Sequence, residues 1–200
     1  MIKCISIFIF SVVIFNTCVI AQERILFYDV IRNGKVIGKI DFIEFKQGSK
    51  RSFTMTSNVK TSYIFSFTDN TVETGHYENG ILVYSTFHQK QTGSGETNKS
   101  ATAVGNFYKL IDNGKTKMVN FGQLRCGMLK LYVDVPDTIS KVFSGNYQKL
   151  CDLKKVEENK YKLTIEEGKY NYYTYKNGVC VKVEIERPMV SLQFVLRAIQ

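Results

Sequence analysis

The chain has 200 residues, of which 44% are hydrophobic and 22% are charged, values typical of a folded globular protein of one domain. Its two prolines and 14 glycines exclude a collagen repeat and a long proline-rich linker. Lysine and arginine outnumber aspartate and glutamate by 27 to 18, which gives a formal charge of +9. Because the basic residues are spread along the chain, we expect weak association with an anionic envelope surface and no binding of nucleic acid.

The first 21 residues have the pattern of a secretory signal peptide. Lys3 precedes a nearly unbroken apolar stretch at 5–20, and the small residue Ala21 follows it. This stretch is shorter than the roughly 20 residues that a membrane-spanning helix needs. We therefore expect cleavage after Ala21, export to the periplasm or the medium, and a single domain over 22–200. The alternatives are an uncleaved membrane anchor and, less favoured because Phe15-Asn16-Thr17 does not suit that processing, a lipoprotein acylated at Cys18.

Three cysteines remain after removal of the signal peptide: Cys126, Cys151 and Cys180. In an oxidising compartment at most one disulfide forms among them, and Cys126 with Cys151 is the favoured pair because both lie near the ends of predicted elements. That bond would close a loop of about 25 residues and stabilise the fold by about 3 kcal/mol. Buried free thiols are an equally compatible alternative. Without a Cys-x-x-Cys spacing or a histidine cluster, no zinc site and no cofactor is expected.

Four asparagine–glycine pairs separate β-rich runs in the predicted domain. Both residue types tolerate positive φ, which a type I′ turn requires at its two central positions, so each pair predicts a β-hairpin. Together they predict an all-β fold, a single antiparallel meander of about ten to twelve strands curled into a barrel or half-barrel. One short helix is expected at 137–145, with Asp137 as its N-cap. The pairs are Asn33-Gly34, Asn79-Gly80, Asn113-Gly114 and Asn177-Gly178.

The first hairpin places one carboxylate on an apolar face. If its strands pair without interruption, Ile31 faces Val36 and Asp29 faces Gly38, while Tyr28 points toward water. A buried carboxylate is costly unless donors satisfy it. Asp29 is therefore a candidate for ligand binding inside the barrel or, the interpretation that we favour, for hydrogen bonds that close the barrel.

The last asparagine–glycine hairpin carries a row of tyrosines. Uninterrupted pairing places Tyr170 and Tyr172 on the core face with Val179 and points Tyr173 and Tyr175 outward. Exposed aromatic rings are typical of protein interfaces. Tyr173 and Tyr175 are therefore candidate partner-binding residues.

The search for catalytic residues yields no candidate. The chain has two histidines, and uninterrupted pairing about the second asparagine–glycine turn places His76 opposite Val83 and His88 opposite Thr71. That register puts the histidines on opposite faces of the sheet, where they cannot act on one substrate or share a metal ion. No catalytic residue and no metal ligand is predicted.

Several short segments resemble a known family. The chain resembles a family of uncharacterised secreted bacterial proteins in four segments. In chain order these are Tyr28-Asp29-Val30 with Ile37-Gly38, the hairpin 77–82, the segment 131–136 and the hairpin 171–178. That family is catalogued only as a domain of unknown function. Its plan also bears a looser likeness to periplasmic lipoprotein carriers, which wrap a curved sheet around an apolar cavity. The resemblance implies an exported all-β protein with no assigned activity.

The small number of residues suited to catalysis favours a non-enzymatic function. We expect a protein that binds an apolar or lipid-like ligand or an envelope partner. One alternative is a hydrolytic enzyme whose site is assembled only in space. Another is a small outer-membrane β-barrel, although strands such as 107–111 are shorter than the roughly 9–11 residues that a membrane-spanning strand requires.

Overall fold

The computed structural model describes residues 21–62 and 66–200, in which 14 strands form one antiparallel sheet. The all-β meander expected from the sequence is confirmed, with more strands than predicted. The predicted signal peptide lies outside the described residues apart from Ala21. Among the described residues, no helix is long and apolar enough to cross a membrane. The strands are β1 (Gln22–Arg32), β2 (Lys35–Gln47), β3 (Lys50–Ser62), β4 (Ser66–Glu78), β5 (Ile81–Gln91), β6 (Gly95–Val104), β7 (Phe107–Asp112), β8 (Lys115–Asn120), β9 (Lys141–Ser144), β10 (Lys149–Glu157), β11 (Lys160–Glu166), β12 (Lys169–Lys176), β13 (Val179–Arg187) and β14 (Val190–Ile199).

Side chains bridge the two edges of this sheet. Consecutive strands pair except for β8 and β9, which are the edges, and β14 returns to pair with β1. From the turn between β9 and β10, Gln148 Nε2 donates to the carbonyl oxygens of Ser100 and Ile111, both at 2.9 Å. Lys99 Nζ donates to the carbonyl of Asn146 in the same turn at 2.8 Å. The sheet therefore stays an open ladder between β8 and β9, and bonds from the β9–β10 turn to β6 and β7 hold it in a barrel-like curl.

Residues 121–140, which we call the plug, leave β8 and enter the interior of the barrel before β9 begins. The plug contains a 3-10 helix at Met128–Tyr132. The ring of Tyr132 stacks on Phe42 at 5.1 Å and meets Tyr173 edge-on at 6.3 Å, measured between ring centroids. Because these aromatic rings bury large areas against one another, the plug is part of the hydrophobic core.

The helix predicted at 137–145 is wrong. The chain turns at 137–138 and enters β9 at Lys141. Asp137 does not cap a helix, because its carboxylate accepts a hydrogen bond from the hydroxyl of Tyr161 on β11. Packing against the sheet overrides the local helix propensity here.

Three of the four asparagine–glycine hairpins share one irregularity. All four asparagines have positive φ, between 47° and 52°, as a type I′ turn requires. In three hairpins, the third residue after the glycine has no partner on the opposite strand, which makes it a β-bulge that shifts the register by one residue. The bulged residues are Ile37, Val83 and Val181.

These bulges overturn the predicted facing of several side chains. Asp29 lies opposite Lys39, not Gly38, and it points outward. Tyr28 points into the barrel and is 1% exposed. Tyr173 and Tyr175, predicted to point outward, are buried inside the barrel. The predictions were wrong because a bulge changes which residues of two paired strands share a face.

The prediction that the two histidines lie on opposite faces of the sheet is also wrong. His76 lies opposite Tyr84 and His88 opposite Val72, and the bulge at Val83 leaves both histidines exposed on the outward face. They are four strand positions apart, a distance of roughly 13 Å. Their separation along the strands, and not an opposite facing, keeps them from acting as a pair.

Candidate functional site

Tyrosine hydroxyls hold the plug at one end of the barrel, which we call the plugged end. This end contains the turns between β4 and β5 and between β12 and β13. Tyr77 accepts a hydrogen bond from the N–H of Gly127 at 2.8 Å, and Tyr175 donates to the carbonyl of Leu131 at 2.7 Å. Burial raises the pKa of both tyrosines well above the ordinary value. The two hydroxyls therefore stay neutral and act as hydrogen-bonding groups.

An ion-pair network reinforces the plugged end. The guanidinium of Arg51 on β3 donates to both carboxylate oxygens of Asp134 in the plug, at 2.6 and 2.7 Å. Glu44 on β2, only 7% exposed, accepts hydrogen bonds from Arg51 and from Arg24, the latter at 2.5 Å. A buried carboxylate is tolerated when cationic donors surround it in this way. The network ties the plug to β1, β2 and β3.

The opposite end, which we call the open end, contains a cavity of about 220 Å³. It runs from Met128 and Tyr132 of the plug toward the turn between β13 and β14. Pockets that enclose drug-sized ligands measure roughly 300–1,000 Å³, so this cavity suits a small molecule or one end of a longer one. Its apolar wall includes Ile40, Met55, Val59, Ile185, Leu192 and Phe194.

A polar row crosses three strands on one side of the cavity. Ser57, Thr71 and Gln89 lie side by side on β3, β4 and β5. Asp69 is the next residue on the same face of β4 toward the open end. Its carboxylate accepts hydrogen bonds from Thr71 Oγ1 at 2.9 Å and from Gln89 Nε2 at 2.9 Å. Gln91 Nε2 donates a further bond at 3.0 Å. The side-chain donors of Thr71, Gln89 and Gln91 are therefore directed at Asp69.

A fixed arginine lies on the other side of the cavity. Arg187 at the end of β13 donates through Nη2 to Asn171 Oδ1 at 3.0 Å and through Nη1 to the carbonyl of Tyr170 at 2.9 Å. The Asn171 amide in turn contacts the Tyr173 hydroxyl at 3.4 Å. Because its donors are engaged by the sheet, Arg187 is held in place on β12 and β13.

Glu73 lies deeper in the cavity, close to the plug. It pairs with Met55 on β3 and with Phe87 on β5, and it is 9% exposed. Burial raises the pKa of its carboxyl to about 7. A Cβ atom at Gly145 would lie 2.9 Å from Glu73 Oε1, so the absence of a side chain at Gly145 leaves space for this carboxyl group.

Glu73 was not among the residues that the sequence singled out, although a signal existed. Thr71, Glu73, Gly75 and Tyr77 alternate along β4, and an inward Tyr77 places Glu73 inward as well. The signal lies in the strand period of β4, a segment in which only His76 was considered for catalysis.

The predicted site residues lie in different places. Asp29 is half-buried on the outward face, 3.6 Å from Arg197, and does not reach the cavity. Tyr173 lines the cavity, and Tyr175 contacts the plug.

The three cysteines outside the predicted signal peptide are buried as free thiols in the structure. The sequence left this arrangement open as the alternative to a bond between Cys126 and Cys151. Burial raises the pKa of Cys126 and of Cys180 to about 12, and it raises the pKa of Cys151 as well. None of the three is a lining residue of the cavity.

The fold and the cavity together define a barrel-like all-β protein with an interior site that is open at one end. The sequence matches the family described as a domain of unknown function (DUF6134) over residues 28–197, and the chain belongs to this family. This finding confirms the resemblance to an uncharacterised family.

Among solved structures, the chain is similar to the crystal structure of a β-barrel-like protein of domain of unknown function DUF1849 from Brucella abortus. The two share 9% sequence identity with a TM-score of 0.56, over 92% of this chain and 99% of that chain. At this identity the likeness shows the fold alone, and it agrees with the barrel-like architecture. No curated protein matches the chain.

Proposed function

We propose that this protein is a non-enzymatic binding protein that holds one small apolar or amphipathic molecule in the cavity at the open end. We further propose that it does so after export, in the cell envelope or outside the cell, as the N-terminal sequence favours. The observation that carries the proposal is the difference between the two ends of the barrel. At one end the interior is filled by the plug, and at the other it contains a cavity with an apolar wall.

The apolar wall supplies the free energy for binding. Met55, Val59 and Leu192 are only partly buried, although they lie on the inward face of their strands. An apolar molecule that covers such side chains gains roughly 25 cal/mol for each Å² removed from water. The rigid sheet and the anchored plug hold the cavity open before the ligand arrives, which reduces the ordering cost of binding.

The chemistry of the wall favours binding over hydrolysis. A serine nucleophile needs a neighbouring base, most often histidine. His76 and His88 lie exposed on the outward face, whereas Ser57 and Ser144 line the cavity. The lining therefore supplies hydrogen-bonding groups around an apolar surface, as a binding site does.

The outward side chains do not favour the outer-membrane barrel. On β3 they include Thr54, Thr56, Asn58 and Lys60, which are polar or charged. A strand that faces lipid carries apolar side chains on that surface. This outward composition favours contact with water and thus the binding protein.

The proposal is tested with a pair of tryptophan variants on β14. Leu192 lines the cavity and its neighbour Ser191 is exposed, so Leu192→Trp fills the cavity and Ser191→Trp is the matched control. The natural chain contains no tryptophan, and each variant therefore also carries a single fluorescent reporter. Residues 22–200 are titrated with 1-octanol by calorimetry, and the purified protein is analysed by native mass spectrometry for bound molecules.

We expect one-site binding of 1-octanol by the natural chain and by Ser191→Trp. Leu192→Trp is expected to bind at least about tenfold more weakly, because the indole occupies the space of the ligand. Equal binding by both variants would place the ligand elsewhere and overturn the proposal. A natural chain that binds no octanol and carries no co-purified molecule would overturn it as well.

A further inference from the structure

Glu73 differs from Glu44 and Asp69, two other acids on the inward face of the sheet. Glu44 and Asp69 accept hydrogen bonds from several side chains. For Glu73, by contrast, the described residues provide neither a hydrogen bond nor an ion pair, and burial alone raises the pKa of its carboxyl. Because no fully enclosed side-chain oxygen of the described residues lacks a partner, the carboxyl oxygens of Glu73 face the open space of the cavity, where a ligand can reach them.

In the described part of the chain, no cationic group is close enough to lower the pKa of Glu73, although Arg187 lines the same cavity. On β4 itself, Asp69 lies on the side of the open end and Tyr77 on the side of the plug. Arg187 lies across the cavity and donates hydrogen bonds to residues of β12. The remaining neighbours are neutral: Met55 from β3, Phe87 from β5, Met128 and Tyr132 from the plug, Ser144 at the end of β9, Gly145 and Asn146 after it, and Tyr173 from β12.

The neighbouring polar row presents acceptor atoms to the cavity. Asp69 takes the hydroxyl donor of Thr71 and an amide donor of Gln89. What remains for a ligand is the amide oxygen of Gln89, the lone pairs of the Thr71 hydroxyl and the Ser57 hydroxyl, which can accept or donate. The arrangement therefore suits a ligand group that is rich in donors. It disfavours a carboxylate or a phosphate, which would meet the like charge of Asp69.

We therefore propose that the cavity takes a small apolar amine, whose ammonium group binds the carboxylate of Glu73 while its apolar part lies against Ile185, Leu192 and Phe194. This inference rests on the proposed function and names the class of its ligand. An ammonium group carries three donors and no acceptor, which complements one carboxylate and the acceptors of the polar row.

The proposal has a consequence for pH dependence. An ammonium group binds the ionised form of Glu73, whose pKa is about 7 in the empty cavity. An alkyl ammonium resembles lysine and stays protonated up to about pH 10. The affinity is therefore expected to rise about tenfold between pH 6 and pH 8, as the ionised fraction of Glu73 rises. A carboxylic acid that hydrogen-bonds to protonated Glu73 would show the opposite trend.

Three eight-carbon probes distinguish the contribution of the head group to binding from that of the apolar chain. Octylamine, 1-octanol and octanoate are titrated into residues 22–200 at pH 6 and at pH 8 by calorimetry. Glu73→Gln keeps the shape of the side chain and removes its charge. Glu78→Gln on the same strand is the matched control, because Glu78 is exposed next to Lys50.

We expect octylamine to bind the natural chain and Glu78→Gln at least about tenfold more tightly than 1-octanol at pH 8. For Glu73→Gln, we expect that preference and the pH dependence to be lost while 1-octanol still binds. If 1-octanol binds as tightly as octylamine, with no effect of pH, the proposal of an amine ligand is contradicted and the proposed function stands. Tighter binding of octanoate than of octylamine would also contradict the proposal of an amine ligand. If none of the three probes binds and the purified protein carries no bound molecule, both proposals fail.

Discussion

The hydroxyl of Tyr175 donates a 2.7 Å hydrogen bond to the carbonyl of Leu131, so that a strand of the sheet holds the backbone of the plug. Tyr77 accepts a bond from the N–H of Gly127 in the same way. The plug has little regular secondary structure, and its buried backbone groups need partners from elsewhere. These inward tyrosines supply them, and they thereby determine how deep the cavity extends.

Tyr175→Phe is expected to destabilise the protein by about 1–3 kcal/mol, because it leaves the buried carbonyl of Leu131 without its donor. The measurement is the free energy of unfolding in urea. The matched control is Tyr172→Phe on the same strand, whose ring lies outward with Lys160 at 5.4 Å from its centroid. That control is expected to change stability by less than about 0.5 kcal/mol. Equal losses in the two variants would contradict the role of the Tyr175 hydroxyl.

Glu73 is expected to make stability depend on pH. Burial raises the pKa of its carboxyl from 4.5 to about 7. Between these values the unfolded chain is ionised at Glu73 while the folded chain keeps the proton. The contribution of Glu73 to the free energy of unfolding therefore falls as pH rises through this window, by at most about 3 kcal/mol.

The measurement compares the natural chain with Glu73→Gln in urea at several pH values from 4 to 8. The two chains are expected to be equally stable at about pH 4, and Glu73→Gln is expected to be the more stable one above pH 7. The difference between the chains isolates Glu73 from the other titrating groups. A difference that stays constant with pH would show that the carboxyl of Glu73 is not desolvated.

The sequence predicts the turns of this fold. It does not predict the strand registers next to them when side chains are assumed to alternate regularly between the two faces. Positive φ at Asn33, Asn79 and Asn177 follows from local chemistry. The bulges at Ile37, Val83 and Val181 break the period of two that assigns side chains to faces. Each bulged residue directly follows another apolar residue, whereas the regular hairpin has Thr116-Lys117 at that place. Two apolar residues in succession after such a turn therefore indicate a bulge.

The cavity depends on contacts between residues that are far apart in the sequence. The plug follows β8 as an irregular segment, and its path is set by contacts such as that of Arg51 with Asp134, 83 positions away. Local propensity gives no information on such a contact. The sequence alone therefore predicts a curved sheet around an interior, but not which end of that interior is filled.

Gly38 is expected to be essential for the close approach of β2 and β3. A Cβ atom at Gly38 would lie 2.8 Å from the Cα of Val59 and would also clash with the carbonyl oxygen of Asn58. Gly38→Ala is therefore expected to destabilise the protein by about 2–3 kcal/mol, since backbone atoms must move.

The matched control is Gly75→Ala on β4. A Cβ atom there would meet its nearest neighbour, the Tyr77 ring, at 3.5 Å, which is an ordinary contact. A change of less than about 1 kcal/mol is expected. Thermal unfolding measures both variants, and a loss of 1 kcal/mol lowers the midpoint by roughly 2–4 °C in a protein of this size. Equal midpoints for the two variants would contradict the close packing at Gly38.

The buried thiols are expected to be unreactive until the protein unfolds. The thiolate is the reactive form of cysteine, and burial raises the pKa of Cys126 and of Cys180 to about 12. Residues 22–200, purified without a reductant, are therefore expected to react slowly with a disulfide reagent at pH 8 and to release three thiol equivalents in denaturant. Ser191→Cys places a thiol on the exposed face of β14 and is the control for reagent activity. One equivalent in denaturant, in place of three, would show that Cys126 and Cys151 form the alternative disulfide, because that bond consumes two of the three thiols.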